Sequence, residues 1–71
     1  MANLRTKFGK RLRQLRRQRN MTQEQLANVA EVSVEFISYI ERGINAPSFE
    51  TIEKLAKALD VEPAELFIFL Q

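Results

Sequence analysis

The stretch Thr22–Gly43, TQEQLANVAEVSVEFISYIERG, decides how this chain folds. Leu26 and Ala30 stand four apart, as on one side of a short helix, and Phe36, Ile37 and Ile40 stripe one side of a second. Ala27 supplies a small residue where two steeply crossing helices come close, and Val32 is placed to tuck beneath the turn that joins them. The spacing is that of a helix-turn-helix, with Thr22 and Ser33 as the two N-caps and Gly43 as the stop. Such a pair leaves one face of its second helix without an intramolecular partner.

Working outward, Leu4, Phe8, Leu12 and Leu15 recur at helical spacing and predict an amphipathic first helix from about Leu4 to Gln18. Asn20 is a plausible left-handed stop, and Thr22 with Gln25 three residues on forms a capping-box pattern. Beyond the loop Ile44–Pro47, Ser48 caps a fourth helix whose Phe49, Ile52, Leu55, Ala56 and Leu59 are expected to be its buried stripe. Pro63 opens a fifth, short helix holding Leu66 and Phe67. No stretch alternates long enough to be a strand. The expected fold is all-α, a single compact five-helix domain over residues 1–71.

Composition narrows the function. With 45% hydrophobic and 28% charged residues, the 71-residue chain reads as one small soluble domain, too small for an enzyme cleft between two lobes. It has neither Cys nor His, which excludes disulfides and Cys/His zinc sites and removes the commonest nucleophile–base pairs. Its longest apolar run, Leu66–Leu70, is five residues, far short of a membrane span, and the N-terminus lacks the apolar core of a signal peptide. A cytoplasmic protein with no cofactor, no membrane association and no small-molecule substrate is the expectation.

The net charge of +2 conceals a division. Residues 1–20 hold eight of the eleven cations and no acid, whereas the remainder holds Arg42, Lys54 and Lys57 against all nine acids. A polyanion binder carries such a footprint; a solvated helical face, with Arg16, Arg17 and Arg19 complementing a helix C-terminus, is the alternative.

Three segments, RQLRRQRNMTQEQLA, VSVEFISYIERG and NAPSFETIEKLAKALDV, in this order and spacing, resemble the Cro/C1-type (phage-repressor-like, XRE) helix-turn-helix family over nearly the whole chain. The resemblance implies a lambda-repressor-like domain, a homodimer on a two-fold symmetric operator of double-stranded DNA, and a role in transcription regulation.

Family roles carry over by position. Ser33, Val34, Glu35, Ser38 and Tyr39 match the exposed face of the recognition helix and are the base-reading candidates. A Val packs on a thymine methyl, a carboxylate accepts from cytosine N4 and a Ser serves either base class. Tyr39 has a base edge, a phosphate or the sugar backbone as its target. The phosphate candidates are Gln23, at the first turn of helix two, then Arg42, Asn45 and Ser48 in the following loop, and Arg13 and Arg17 on helix one. For Gln23 plain solvent exposure is the alternative, and for Ser48 helix capping. Arg16 and Glu41 match a structural ion pair joining helix one to the end of helix three. Glu31 occupies a turn position where the family usually has Gly, so a non-glycine residue at positive φ is expected. Phe36 is expected to pack inward rather than intercalate. Phe67, Ile68, Phe69 and Leu70 exceed what the core of so small a domain can absorb, which points to a dimer interface or to a fragment cut from a longer protein.

Two functions follow. One is a sequence-specific DNA-binding transcriptional regulator with helix three in the major groove. The other is a protein-interaction module that keeps the fold without reading DNA, motivated by Val34 and Glu35, which offer neither a cation nor an amide at the tip of that helix. An enzyme is not expected, because the carboxylates are spread over helical surfaces with no nucleophile or metal cluster among them.

Overall fold

The computed structural model describes residues 3–69. Helix α1 spans Leu4–Gln18, α2 Gln23–Ala30, α3 Val34–Glu41 and α4 Phe49–Leu59, and a 3-10 turn follows over Pro63–Phe67. The described residues are helical or irregular, with no strand. The last segment is thus not a fifth α-helix. With five residues it has too little length for successive i→i−4 bonds, and Glu65 N–H closes on the Glu62 carbonyl at 2.9 Å in the tighter 3-10 pattern.

Side-chain caps set the start of each of α1, α2, α3 and α4. The Asn3, Thr22, Ser33 and Ser48 side chains each accept a hydrogen bond from the backbone N–H three residues on, which satisfies one of the free donors at the start of their helices. At Thr22 the Gln25 side chain returns the bond to the Thr22 N–H at 2.8 Å, completing a capping box. Asn20, Glu31 and Asp60 take left-handed backbone angles after α1, α2 and α4, with φ of 57°, 60° and 57°. Glu31 is therefore a non-glycine residue at positive φ in the α2–α3 turn. Gly43 ends α3 at φ 75°, where a β-carbon would also stand 2.9 Å from Thr6 Oγ1.

Leu12, Leu26, Ile37, Ile40, Leu55, Leu59 and Leu66 are fully enclosed, so every element sends at least one large side chain to a common centre. Helix α3 packs on α1 and α2, α4 packs on α2, and the 3-10 turn closes the α1 and α4 side. Phe36 and Val32 lie partly buried against this centre.

Two members of the expected stripes lie outside it. Leu4 is 61% exposed and Phe49 86% exposed. Both stand at the first position of their helices. Side chains there point back over the turn N-terminal to them, where the chain is still a loop rather than core.

Candidate nucleic-acid interface

Helix α3 owes its orientation to Ile37 and Ile40, both 0% exposed. At 100° per residue, burying these two turns Glu35, Ser38 and Tyr39 to the opposite side. Glu35 and Tyr39 are exposed and Ser38 half-buried. Val34 lies at the edge of this face and is partly covered by packing against the core. Ser33 Oγ is engaged as the cap, accepting from Phe36 N–H at 3.0 Å.

One flank of the face continues into the α3–α4 connection. The Arg42 guanidinium lies 5.1 Å from the centroid of the Tyr39 ring, close enough for a cation–π contact. The Tyr39 carbonyl accepts from the N–H groups of Ile44 and Asn45 at 2.9 and 3.3 Å, tying the start of the loop to α3. Asn45 is exposed. Ser48 caps α4 by accepting from Thr51 N–H at 3.1 Å, so its hydroxyl already has a structural task. Further along, Ala46 and Pro47 join Leu4, Phe49, Ile52 and Phe67 around an open apolar groove of about 190 Å³.

The opposite flank is organised by Glu41, whose side chain is 0% exposed. Arg16 grips it with two donors, Nε to Oε2 at 2.6 Å and Nη2 to Oε1 at 3.0 Å, while Arg16 Nη1 donates to the Met21 carbonyl at 2.7 Å. Gln23 Nε2 donates to the same Oε1 at 3.0 Å, and Arg13 Nε approaches it at 3.4 Å. Burial alone would raise the Glu41 pKa, but hydrogen bonds from Arg16, Gln23 and Arg13 and the Arg16 charge outweigh it and hold the carboxyl below its ordinary range. Gln23 is thus turned partly inward. Arg13 keeps 40% of its side chain in solvent, and Arg17 is exposed on the outer side of α1.

Sequence reasoning missed the tasks of two other cations. Arg11 Nε donates to the Glu65 carbonyl at 2.8 Å and clasps the 3-10 turn to α1, while Arg19 Nη2 reaches the Asp60 carbonyl at 3.2 Å. Each of these two contacts is to a main-chain carbonyl more than forty positions away, which no residue type signals, although Arg11 also reaches the Glu65 carboxylate at 3.4 Å and the Gln14 side chain at 2.8 Å. It also missed Gly9, whose position inside a helix is the only sign that α1 touches a neighbouring backbone.

At the C-terminal end the Phe67 ring stacks obliquely on Phe8 with centroids 5.2 Å apart, and the Phe69 ring meets Phe67 edge-on at 6.2 Å. Phe67 and Ile68 remain 39% and 41% exposed. Leu70 lies outside the described residues.

Two capped helices joined by a left-handed turn, the second with a solvent-facing polar side, define a helix-turn-helix domain. The helix-turn-helix family model matches residues 12–66, and the chain belongs to the Cro/C1-type (XRE) helix-turn-helix family of transcription regulators. Among its relatives, the control protein C.BamHI of Bacillus amyloliquefaciens is 44% identical over 68 residues, covering 94% of this chain and 84% of that protein. The cryptic phage CTXphi transcriptional repressor RstR of Vibrio cholerae is 41% identical over 59 residues, 83% of this chain and 53% of the repressor. The chain thus spans most of the first relative but only about half of the second. Of solved structures, the restriction-modification controller protein C.AhdI from Aeromonas hydrophila superposes with a TM-score of 0.87 at 44% identity, covering 89% of this chain and 96% of that one. The clp gene regulator ClgR from Corynebacterium glutamicum superposes with a TM-score of 0.90 at 31% identity, covering 96% and 88%.

Proposed function

We propose that this chain is a sequence-specific DNA-binding transcriptional regulator that binds a two-fold symmetric operator as a homodimer, with α3 in the major groove. The observation that carries this reading is the outward side of α3. Glu35 and Tyr39 are exposed, with the half-buried Ser38 between them, on a helix locked from behind by Ile37 and Ile40. Ser33 and Val34 stand at its leading end, where a recognition helix meets base edges. Glu35 selects for a cytosine N4 donor, Ser38 for a donor or acceptor beside it, and Tyr39 presents a hydroxyl.

Phosphate contacts flank this face. Arg42 and Asn45 serve one side and Gln23, Arg13 and Arg17 the other, with Ser48 adding a weaker contact beyond its cap. The +8 first segment supplies the long-range attraction that brings such a domain to a duplex. Names of relatives as a control protein, a phage repressor and a restriction-modification controller support the same reading.

The dimer contact runs through Phe67, Ile68, Phe69 and Leu70 and continues into the groove beside Phe49 and Leu4. Leu4, Phe49 and Phe67 are exposed and line one apolar groove, and Ile68 next in sequence is exposed as well; such a patch on so small a domain is a surface for a second copy. Two recognition helices then fall roughly 34 Å apart, one turn of the duplex.

Selection of bound duplexes from a randomised pool at two salt concentrations tests the proposal. A two-fold symmetric sequence whose retention drops steeply with salt is the expected result. Failure to retain any duplex at low salt, with a protein partner recovered on α3 instead, defeats it in favour of an interaction module.

A further inference from the structure

The Glu41 carboxylate does more than pair with Arg16. It is fully enclosed, and its Oε1 receives donors from three side chains on two elements: Arg16 and Arg13 of α1 and Gln23 of α2. Arg13 and Gln23 therefore meet through a shared acceptor, at the start of α2 where the first backbone N–H groups are free. Arg13 spends Nε on this contact, which leaves both Nη groups of its fork for another partner in the 40% of the side chain that solvent reaches. Gln23 spends one of its two amide N–H bonds and keeps the other.

We infer that Glu41 is a positioning residue for DNA binding, holding Arg13 and Gln23 as one preformed clamp for a single backbone phosphate. The inference rests on the DNA-binding reading above. The anchored side chains lose less rotamer freedom when the phosphate arrives, and the carboxylate, with Arg16 neutralising it, leaves the Arg13 charge available to the phosphate. A lysine at position 13 carries the charge but lacks the planar fork that reaches Glu41 and a phosphate together.

The test uses the duplex recovered by selection and measures affinity and its salt dependence for Arg13→Ala, Gln23→Ala, the double variant, Arg13→Lys and Glu41→Gln, with folded fraction followed by circular dichroism. Arg13 and Gln23 lie outside the apolar core, so these variants fold and the cycle does not depend on Glu41→Gln surviving. Each alanine variant is expected to lose about tenfold in affinity and the double about twentyfold rather than a hundredfold, because both side chains hold the same phosphate and loss of either already loosens it. Arg13→Lys is expected to bind nearly as poorly as Arg13→Ala, and folded Glu41→Gln to show a salt slope shallower by about one. Losses that multiply, together with full affinity in Arg13→Lys, overturn the positioning role while leaving DNA binding intact. A wild-type chain that retains no duplex overturns the underlying reading itself.

Discussion

Gly9 of α1 lies against Ile40 of α3 with no room for a side chain: a β-carbon would stand 2.8 Å from the Glu41 carbonyl oxygen and closer still to that of Ile40. Both obstacles are backbone atoms, which cannot swing aside. Gly9→Ala is therefore expected to destabilise the domain by about 1–3 kcal/mol despite the better helix propensity of Ala, because α1 and α3 must separate. Thermal melting is expected to show a fall of roughly 4–8 °C for each kcal/mol. An unchanged melting temperature would mean that the two helices are not in this contact.

Glu31 makes the opposite prediction. It holds φ 60° in the α2–α3 turn, a backbone region that costs a residue with a β-carbon roughly 1–2 kcal/mol. Glu31→Gly removes that strain and returns part of the gain as unfolded-chain entropy. The net expectation is a stabilisation of about 0.5–1 kcal/mol in urea titration, and loss of stability would show that the Glu31 side chain makes an unrecognised contact.

Acid sensitivity should centre on Glu41. Its folded-state pKa lies below the ordinary value of 4.5, so the unfolded chain takes up the proton more readily than the folded one. The stabilisation is complete above the unfolded-state pKa and is lost as pH falls through the lower folded value. Glu41→Gln is expected to cost about 3–5 kcal/mol at neutral pH, by leaving Arg16 buried without its counter-charge, and to flatten the acid limb of the stability profile. An acid limb identical in the variant would place the sensitivity elsewhere.

Phe49 has almost no packing within its own chain, so Phe49→Ser is expected to leave the fold of the monomer intact. On the dimer reading, the same substitution weakens self-association at least tenfold, as measured by sedimentation equilibrium over a dilution series. Equal association of wild type and variant would remove Phe49 from the interface.

Base preference isolates the face of α3. Glu35→Ala is expected to relax selection at one base pair in each half-site, by about 1–3 kcal/mol of discrimination, whereas Arg42→Ala is expected to weaken all duplexes alike and reduce the salt slope by about one. A uniform effect from Glu35→Ala would deny it a base-reading role.

Much of the fold was legible because it depends on local rules. Thr22, Ser33 and Ser48 act as caps, Asn20, Glu31 and Gly43 take positive φ, and Ile37, Ile40, Leu55 and Leu59 are buried at the positions that helical period demands. Reading failed where period meets a helix end. Leu4 and Phe49 share the phase of their stripes but have no core behind the first turn. The short last segment shows Pro63 in its sequence, yet nothing there distinguishes a 3-10 turn from a single α turn. At the candidate interface, rotation identifies the outward side of α3, because two isoleucines fix it from behind. It does not reveal that Arg13 and Gln23 both reach Glu41, since that depends on how three helices cross. Among the cations of the first segment the family resemblance sets Arg16 apart as the partner of Glu41, whereas only the folded chain separates Arg11 and Arg19, held by internal acceptors, from the exposed Arg17.

The α3–α4 connection is bonded to the Tyr39 carbonyl at its start and borders the apolar groove at its end. If two copies meet at that groove, these few residues act as the yardstick between the subunit seam and the helix that reads bases. On that dimer reading, lengthening or shortening the connection by one residue would change the distance between half-sites a pair can straddle, and operator geometry would be set in part by a loop that need touch no base.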